Sequence, residues 1–166
     1  MVRPVAAVGQ ATLHIAGGFT GANLSILKST SYGASILVGG GVNIGQRISV
    51  LGEYSHASIL SSAATIGGVF IPESSVGISS LTLNLKARIP IHDNVRLYAI
   101  GGYGLYYQQN LALGPGRWRD GQNIGAGMEY KLDDSVSLFW ELRMHRIPEA
   151  GQTTITVPIS FGVRWH

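Results

Sequence analysis

Apolar and polar residues alternate with a period of two along most of this chain, the pattern of strands whose two faces meet different surroundings. The clearest stretch is 80–89, where Leu81, Leu83, Leu85, Ala87 and Ile89 share one side and Ser80, Thr82, Asn84, Lys86 and Arg88 the other. The stretch 155–165 reads the same way, with Ile155, Val157, Ile159, Phe161, Val163 and Trp165 against Thr156, Pro158, Ser160, Gly162 and Arg164. In 136–146, Val136, Leu138, Trp140, Leu142 and Met144 stand opposite Ser137, Phe139, Glu141, Arg143 and His145. In 123–132, Ile124, Ala126, Met128, Tyr130 and Leu132 stand opposite Asn123, Gly125, Gly127, Glu129 and Lys131. The alternation continues over 95–108, 47–55 and 32–44, and in a softer form over 5–16. These are eight predicted strands of about 9–14 residues, the length with which a tilted strand crosses a bilayer.

The connections alternate as well. Three are tight and rich in turn-forming residues, at 43–47, 90–94 and 133–135. Four are longer and less regular, at 17–31, 56–76, 109–121 and 147–153. An even strand number with short turns at one end and long loops at the other predicts an all-β fold. Specifically, it predicts an eight-stranded, antiparallel, up-and-down transmembrane β-barrel with periplasmic turns and extracellular loops. No linker or charge block interrupts the pattern, so residues 1–166 are expected to form a single domain.

Composition bears on what the apolar face touches. Hydrophobic residues make up 45% of the chain and charged residues only 13%, with a mean hydropathy of +0.21. A soluble barrel would display Lys, Glu, Asp and Arg on its exterior. Here the polar face is mostly Ser, Thr, Gly, Asn and Gln, and the apolar face carries essentially no charge before Arg146. That asymmetry predicts lipid outside and a small polar lumen inside. No run approaches the roughly 18 apolar residues of a membrane-spanning helix. The absence of cysteine excludes disulfides, Cys-bearing metal sites and thiol catalysis. A net charge of +3 scattered over the chain argues against nucleic acid as a partner. The opening Met1–Val5 shows no apolar signal segment, which fits either a cytosolic protein or a mature chain with an added Met.

An eight-stranded barrel is only just wide enough for its own side chains. Charges on the lumen parity must therefore pair. Glu53, Glu129, Glu141 and Arg143 are expected near mid-barrel, and Lys86, Arg88, Arg96, Lys131 and Arg164 nearer the periplasmic rim, together plugging the lumen. On the lipid parity, Tyr32, Tyr54, Tyr103, Tyr107, Tyr130, Trp140, Phe161 and Trp165 are candidates for an aromatic girdle. Lys28, Arg117, Arg119 and Arg146 map to the external side and are candidate contacts for lipopolysaccharide phosphates. His14 and His145 read as hydrogen-bonded interior residues, and His92 belongs to a turn. Gly101-Gly102-Tyr103-Gly104 lacks the following helix that a phosphate cradle requires. The apolar loop stretches Ile59-Leu60 and Val69-Phe70-Ile71 are expected either to meet a partner protein or to extend the wall above the membrane.

Several segments resemble the small outer-membrane β-barrel family that includes opacity-type proteins and the transmembrane domain of the OmpA kind. They are Leu97–Gly104, Asn123–Tyr130, Asp133-Asp134-Ser135 with Val136–Arg143, and Pro158–Trp165. The resemblance implies a Gram-negative outer membrane and roles in adhesion, envelope support or binding of host and lipid molecules. It also implies a terminal aromatic read by the assembly machinery, a part that falls to Trp165, with His166 following. His56-Ala57-Ser58, with Glu73 further along, is similar to the His-x-Ser pair and glutamate of lipid A deacylases, in which His56 would serve as base, Ser58 as nucleophile and Glu73 as orienting group. That pair lies in the first half of the chain without a neighbouring asparagine for an oxyanion. The expectation is therefore a monomeric barrel without catalysis, metal or cofactor. Its expected partners are outer-membrane lipid, lipopolysaccharide and an extracellular or envelope protein met through the loops; a lipid-modifying enzyme and a narrow pore are the alternatives.

Overall fold

A computed structural model describes residues 9–24, 29–61, 64–66, 69–71, 74–110, 114–149 and 152–166. Among these described residues ten strands succeed one another: β1 (Ala11–Leu24), β2 (Ser29–Asn43), β3 (Ile48–Ser61), β4 (Ala64–Ile66), β5 (Val69–Ile71), β6 (Ser74–Pro90), β7 (Val95–Asn110), β8 (Gly114–Lys131), β9 (Val136–Glu149) and β10 (Gln152–Trp165). Eight of them close into a barrel in the order β1-β10-β9-β8-β7-β6-β3-β2, every pair antiparallel, while β4 and β5 form a separate small hairpin between β3 and β6. Closure matters energetically, because a sheet in hydrocarbon has no water to satisfy an open edge. The first and last strands supply it, from Leu13 opposite Trp165 to Asn23 opposite Ile155.

The strands run further than the alternation suggested. The first was expected over 5–16 but occupies Ala11–Leu24, and residues 5–8 lie outside the described residues. Its start is fixed by backbone bonds from Gly9 N to Asn43 O (2.9 Å) and Asn43 N to Gln10 O (3.0 Å). Gly17, Gly18 and Gly21 make its upper half read as loop, yet ladders on both sides hold it extended and tertiary pairing overrides weak strand propensity. The same correction applies to the other long connections. β3 continues to Ser61, β6 begins at Ser74, β8 begins at Gly114, and β9 and β10 are separated only by residues 150–151. A membrane crossing takes about 9–11 residues. With 17, 16 and 18 residues, β6, β7 and β8 stand well clear of it.

The two faces are inverted relative to a soluble protein. Leu83 is 64% exposed on the outer wall, whereas Lys86 on the same strand is fully buried in the lumen. Inside, polar layers alternate with three apolar clusters. Ala22, Ile59, Val76, Ile78, Tyr106 and Ile147 meet at the loop end. Ala16, Leu37 and Phe139 pack on the β9–β1–β2 side, and Leu51, Tyr98 and Ile100 on the β3–β7 side.

Candidate functional site

The middle of the lumen is organised around Glu53 of β3. It accepts hydrogen bonds from Arg143 Nη1 (2.5 Å) and Asn84 Nδ2 (2.6 Å), and lies 2.8 Å from His14 Nε2. Arg143 also donates through Nε to Glu141 (2.8 Å), which in turn accepts from the Tyr98 hydroxyl (3.0 Å). Asn123 donates to Asn84 (2.8 Å), tying β8 into the layer. All of these residues are buried. Local sequence makes room for them: a Cβ at Gly39 would stand 2.7 Å from both Glu53 Cγ and His14 Nε2, so only glycine lets that pair meet.

A second layer gathers below around Glu129 of β8. Lys86 Nζ and Arg164 Nη1 each lie 3.1 Å from its carboxylate, and Arg88 Nε lies 3.3 Å away. Arg88 donates through both terminal nitrogens to Asn43 Oδ1 (3.0 Å each), which also accepts from the Ser49 hydroxyl (2.7 Å). Lys86 sits 3.8 Å above the Tyr98 ring, and the Arg164 guanidinium 4.9 Å above Phe139. His166 reaches Ser137 Oγ at 3.0 Å. The nine charges expected to form one network thus divide. Arg96 is half-buried at the rim, on the lumen parity opposite Glu129. Lys131, part-buried at the rim, pairs with Asp134 of the following turn, holding that carboxyl below its ordinary range. Lys131 lies one residue before the turn, where Asp134 is the nearer partner.

Near the loop end the Tyr106 hydroxyl is 2.9 Å from His145 Nδ1, with the two rings edge to face. Beneath them lies a cavity of about 30 Å³ bordered by Thr20, Ser35, Arg143 and Ser160, with room for ordered water. Among the described residues no cluster of three or more His, Asp or Glu could hold a metal ion. Asn43, Asn84, Asn123, Tyr98 and Tyr106 are members of these layers that charge-based reading passed over. Their place on the lumen parity was the available signal.

On the outer wall, Tyr32, Tyr54, Tyr103, Tyr130, Trp140, Phe161 and Trp165 all point outward and are exposed. Tyr107 is partly covered by Trp118, 5.2 Å away centroid to centroid. Trp118 and Phe19 also face outward, and were missed because both fell in segments read as loops. His56 and Ser58 both project outward, but His56 Nδ1 meets Ser79 Oγ of β6 (2.9 Å), while Ser58 lies 3.4 Å from Ser75 Oγ. Side chains two apart on one strand are aligned along it, and the neighbouring strand offers the closer partner. Glu73 lies outside the described residues, as does Lys28. Arg117 and Arg119 lie toward the extracellular end of β8. They share the parity of Gly121 and Asn123, facing the inside of the extracellular mouth, while Trp118 between them faces out. Arg146 remains on the outer wall, opposite Gln122 and two residues above Met144. Beside it, Leu83, Leu85, Gly101, Tyr103 and Ile124 line a shallow outer groove of about 750 Å³.

A closed barrel with an apolar, aromatic-studded exterior and its ionised residues turned inward is an integral protein of the bacterial outer membrane. The match of residues 2–165 to the outer membrane protein beta-barrel domain is more specific: the chain belongs to that family. No curated protein sequence matches it. Among solved structures it is similar to Neisserial surface protein A, at 15% identity and a TM-score of 0.75, covering 93% of this chain and 96% of that one. It is also similar to Ail, the attachment invasion locus protein of Yersinia pestis, at 12% identity and a TM-score of 0.57, covering 95% and 99%. Ail has also been solved with the heparin analogue sucrose octasulfate. OprG of Pseudomonas aeruginosa matches at 12% identity and a TM-score of 0.55, covering 96% and 97%.

Proposed function

We propose that this protein is a monomeric outer-membrane barrel, closed to diffusion, that serves the envelope structurally or as a surface-recognition protein and performs no catalysis. The observation that carries the closed lumen is its filling: two ion-paired layers lie under an apolar cap in which Ile59 and Ile147 have no exposed surface. An ion entering from outside would meet the cap first and Arg143 with its two carboxylates next. The recognition role rests on the strands that rise past the membrane, on the β4–β5 hairpin above them, and on exposed Arg117 at the mouth. Ail, an attachment protein by name, has been solved with a sulfated glycan analogue. Sulfated surface polysaccharides are accordingly the first ligand class to test at this mouth.

The lipid partner is read from the outer wall. Support for it comes from Arg146 at the upper end of the groove, which would pair with a phosphate of the outer leaflet while acyl chains cover Leu83, Leu85, Gly101 and Ile124. Planar-bilayer recording tests the closed lumen. Silence at sustained voltage is expected, and stable single-channel steps would contradict it. Mass analysis of lipid A from cells expressing the protein tests the absence of catalysis. An unchanged profile is expected, and acyl loss that disappears with His56→Ala would establish the enzyme reading instead.

A further inference from the structure

The charges buried in the described lumen do not balance. Lys86, Arg88, Arg143 and Arg164 are four cations, against the three carboxylates of Glu53, Glu129 and Glu141. They are also unevenly divided. Glu53 and Glu141 share Arg143 in the middle layer, whereas Glu129 alone faces Lys86, Arg88 and Arg164 below. Of the rim carboxylates, Asp134 is taken by Lys131 and Asp133 accepts from the backbone N–H groups of Ser135 and Val136.

The same region holds buried polar atoms without a partner. Arg164 Nε and Nη2, Thr12 Oγ1 and His14 Nδ1 make no hydrogen bond, although all three residues are at most 2% exposed. They belong to one seam. His14 and Arg164 are register partners across β1 and β10, and Thr12 lies two residues toward the periplasm on the same lumen face of β1. Phe139 walls this seam, with its ring edge-to-face against His14 and beneath the Arg164 guanidinium. Orphaned buried donors lose the full desolvation free energy of the group, so the seam calls for an occupant. Ordered water would supply lone pairs but no charge, leaving a cation excess in a low-dielectric interior. A small anion answers both deficits at once.

We propose that a monovalent halide-type anion binds on the β1–β10 seam, held by Arg164 Nε and Nη2 and the Thr12 hydroxyl. It supplies the counter-charge that Glu129 alone does not provide to the periplasmic half of the lumen. Full burial of Arg164 limits the occupant to a compact ion and excludes bulky organic anions.

The test uses the folded protein in detergent micelles at constant ionic strength. Thermal unfolding is compared in sodium chloride, sodium bromide and sodium gluconate, and crystals grown in bromide are examined at the bromine absorption edge. Saturable stabilisation by both halides of a few degrees over gluconate is expected, since a ligand bound only to the folded state raises the midpoint. An anomalous peak within hydrogen-bonding distance of Arg164 and Thr12 is the matching crystallographic result. Arg164→Gln should abolish the halide dependence. If that variant does not fold, Thr12→Val removes one donor at nearly constant volume and should weaken the halide midpoint several-fold. Identical melting in halide and gluconate, a seam holding water without anomalous signal, or a halide midpoint unmoved by Thr12→Val would each overturn the proposal.

Discussion

Glu53 and Arg143 are separated by 90 positions in the chain and lie 2.5 Å apart in the lumen, so their pairing reports the closed barrel directly. Removing one partner leaves the other charge buried without compensation. Glu53→Ala should destabilise the folded barrel by about 3–5 kcal/mol, read from the urea midpoint in micelles, and a change below about 1 kcal/mol would mean the pair is solvated. Gly39→Ala pushes a methyl group into the Glu53–His14 contact and toward the Gly52 carbonyl, at 2.8 Å. It should destabilise by about 1–3 kcal/mol through overpacking. The charged members of the layers were legible from parity alone, because an ionised side chain on the narrow inner face has few alternatives to pairing. Asn43 and Asn84 were not, since a short amide looks the same in sequence whether it is solvated or, as here, bridges a carboxylate or guanidinium. Lys131 shows the converse limit: parity placed it inward, but one residue of distance to the turn gave it to Asp134.

At the scale of the strand, depth in the membrane decides what a substitution does. Leu83→Arg places a guanidinium on the lipid-facing wall of β6 and should cost about 2–4 kcal/mol near mid-depth, falling toward zero at the interfaces. Arg146, already on that wall, is tolerated at the upper end of the groove. Deletion of residues 64–71 removes the β4–β5 hairpin without touching a barrel ladder. The deleted protein should still migrate differently in unboiled and boiled gel samples, as a closed membrane barrel is expected to, while losing any ligand bound at that end; loss of that difference would show that the hairpin supports the wall. Strand identity was legible because alternation persists across each membrane crossing. Strand ends were not, because above the membrane the chain turns to Ser, Thr and Gly, whose pattern is that of a loop. Only the ladders with neighbouring strands keep those segments extended, and a ladder leaves no trace in either segment taken alone.

For the whole molecule, orientation toward lipid is the premise from which the lumen, the girdle and the surface role follow. The chain's three tryptophans, Trp118, Trp140 and Trp165, all stand on the outer wall. A variant with Trp118→Phe and Trp165→Phe keeps Trp140 as sole reporter, four residues up β9 from its periplasmic end. Its fluorescence should be quenched strongly in vesicles of lipids brominated along the acyl chains and be nearly indifferent to aqueous iodide. Strong iodide quenching with no response to the brominated chains would place the apolar face away from hydrocarbon and contradict the transmembrane barrel.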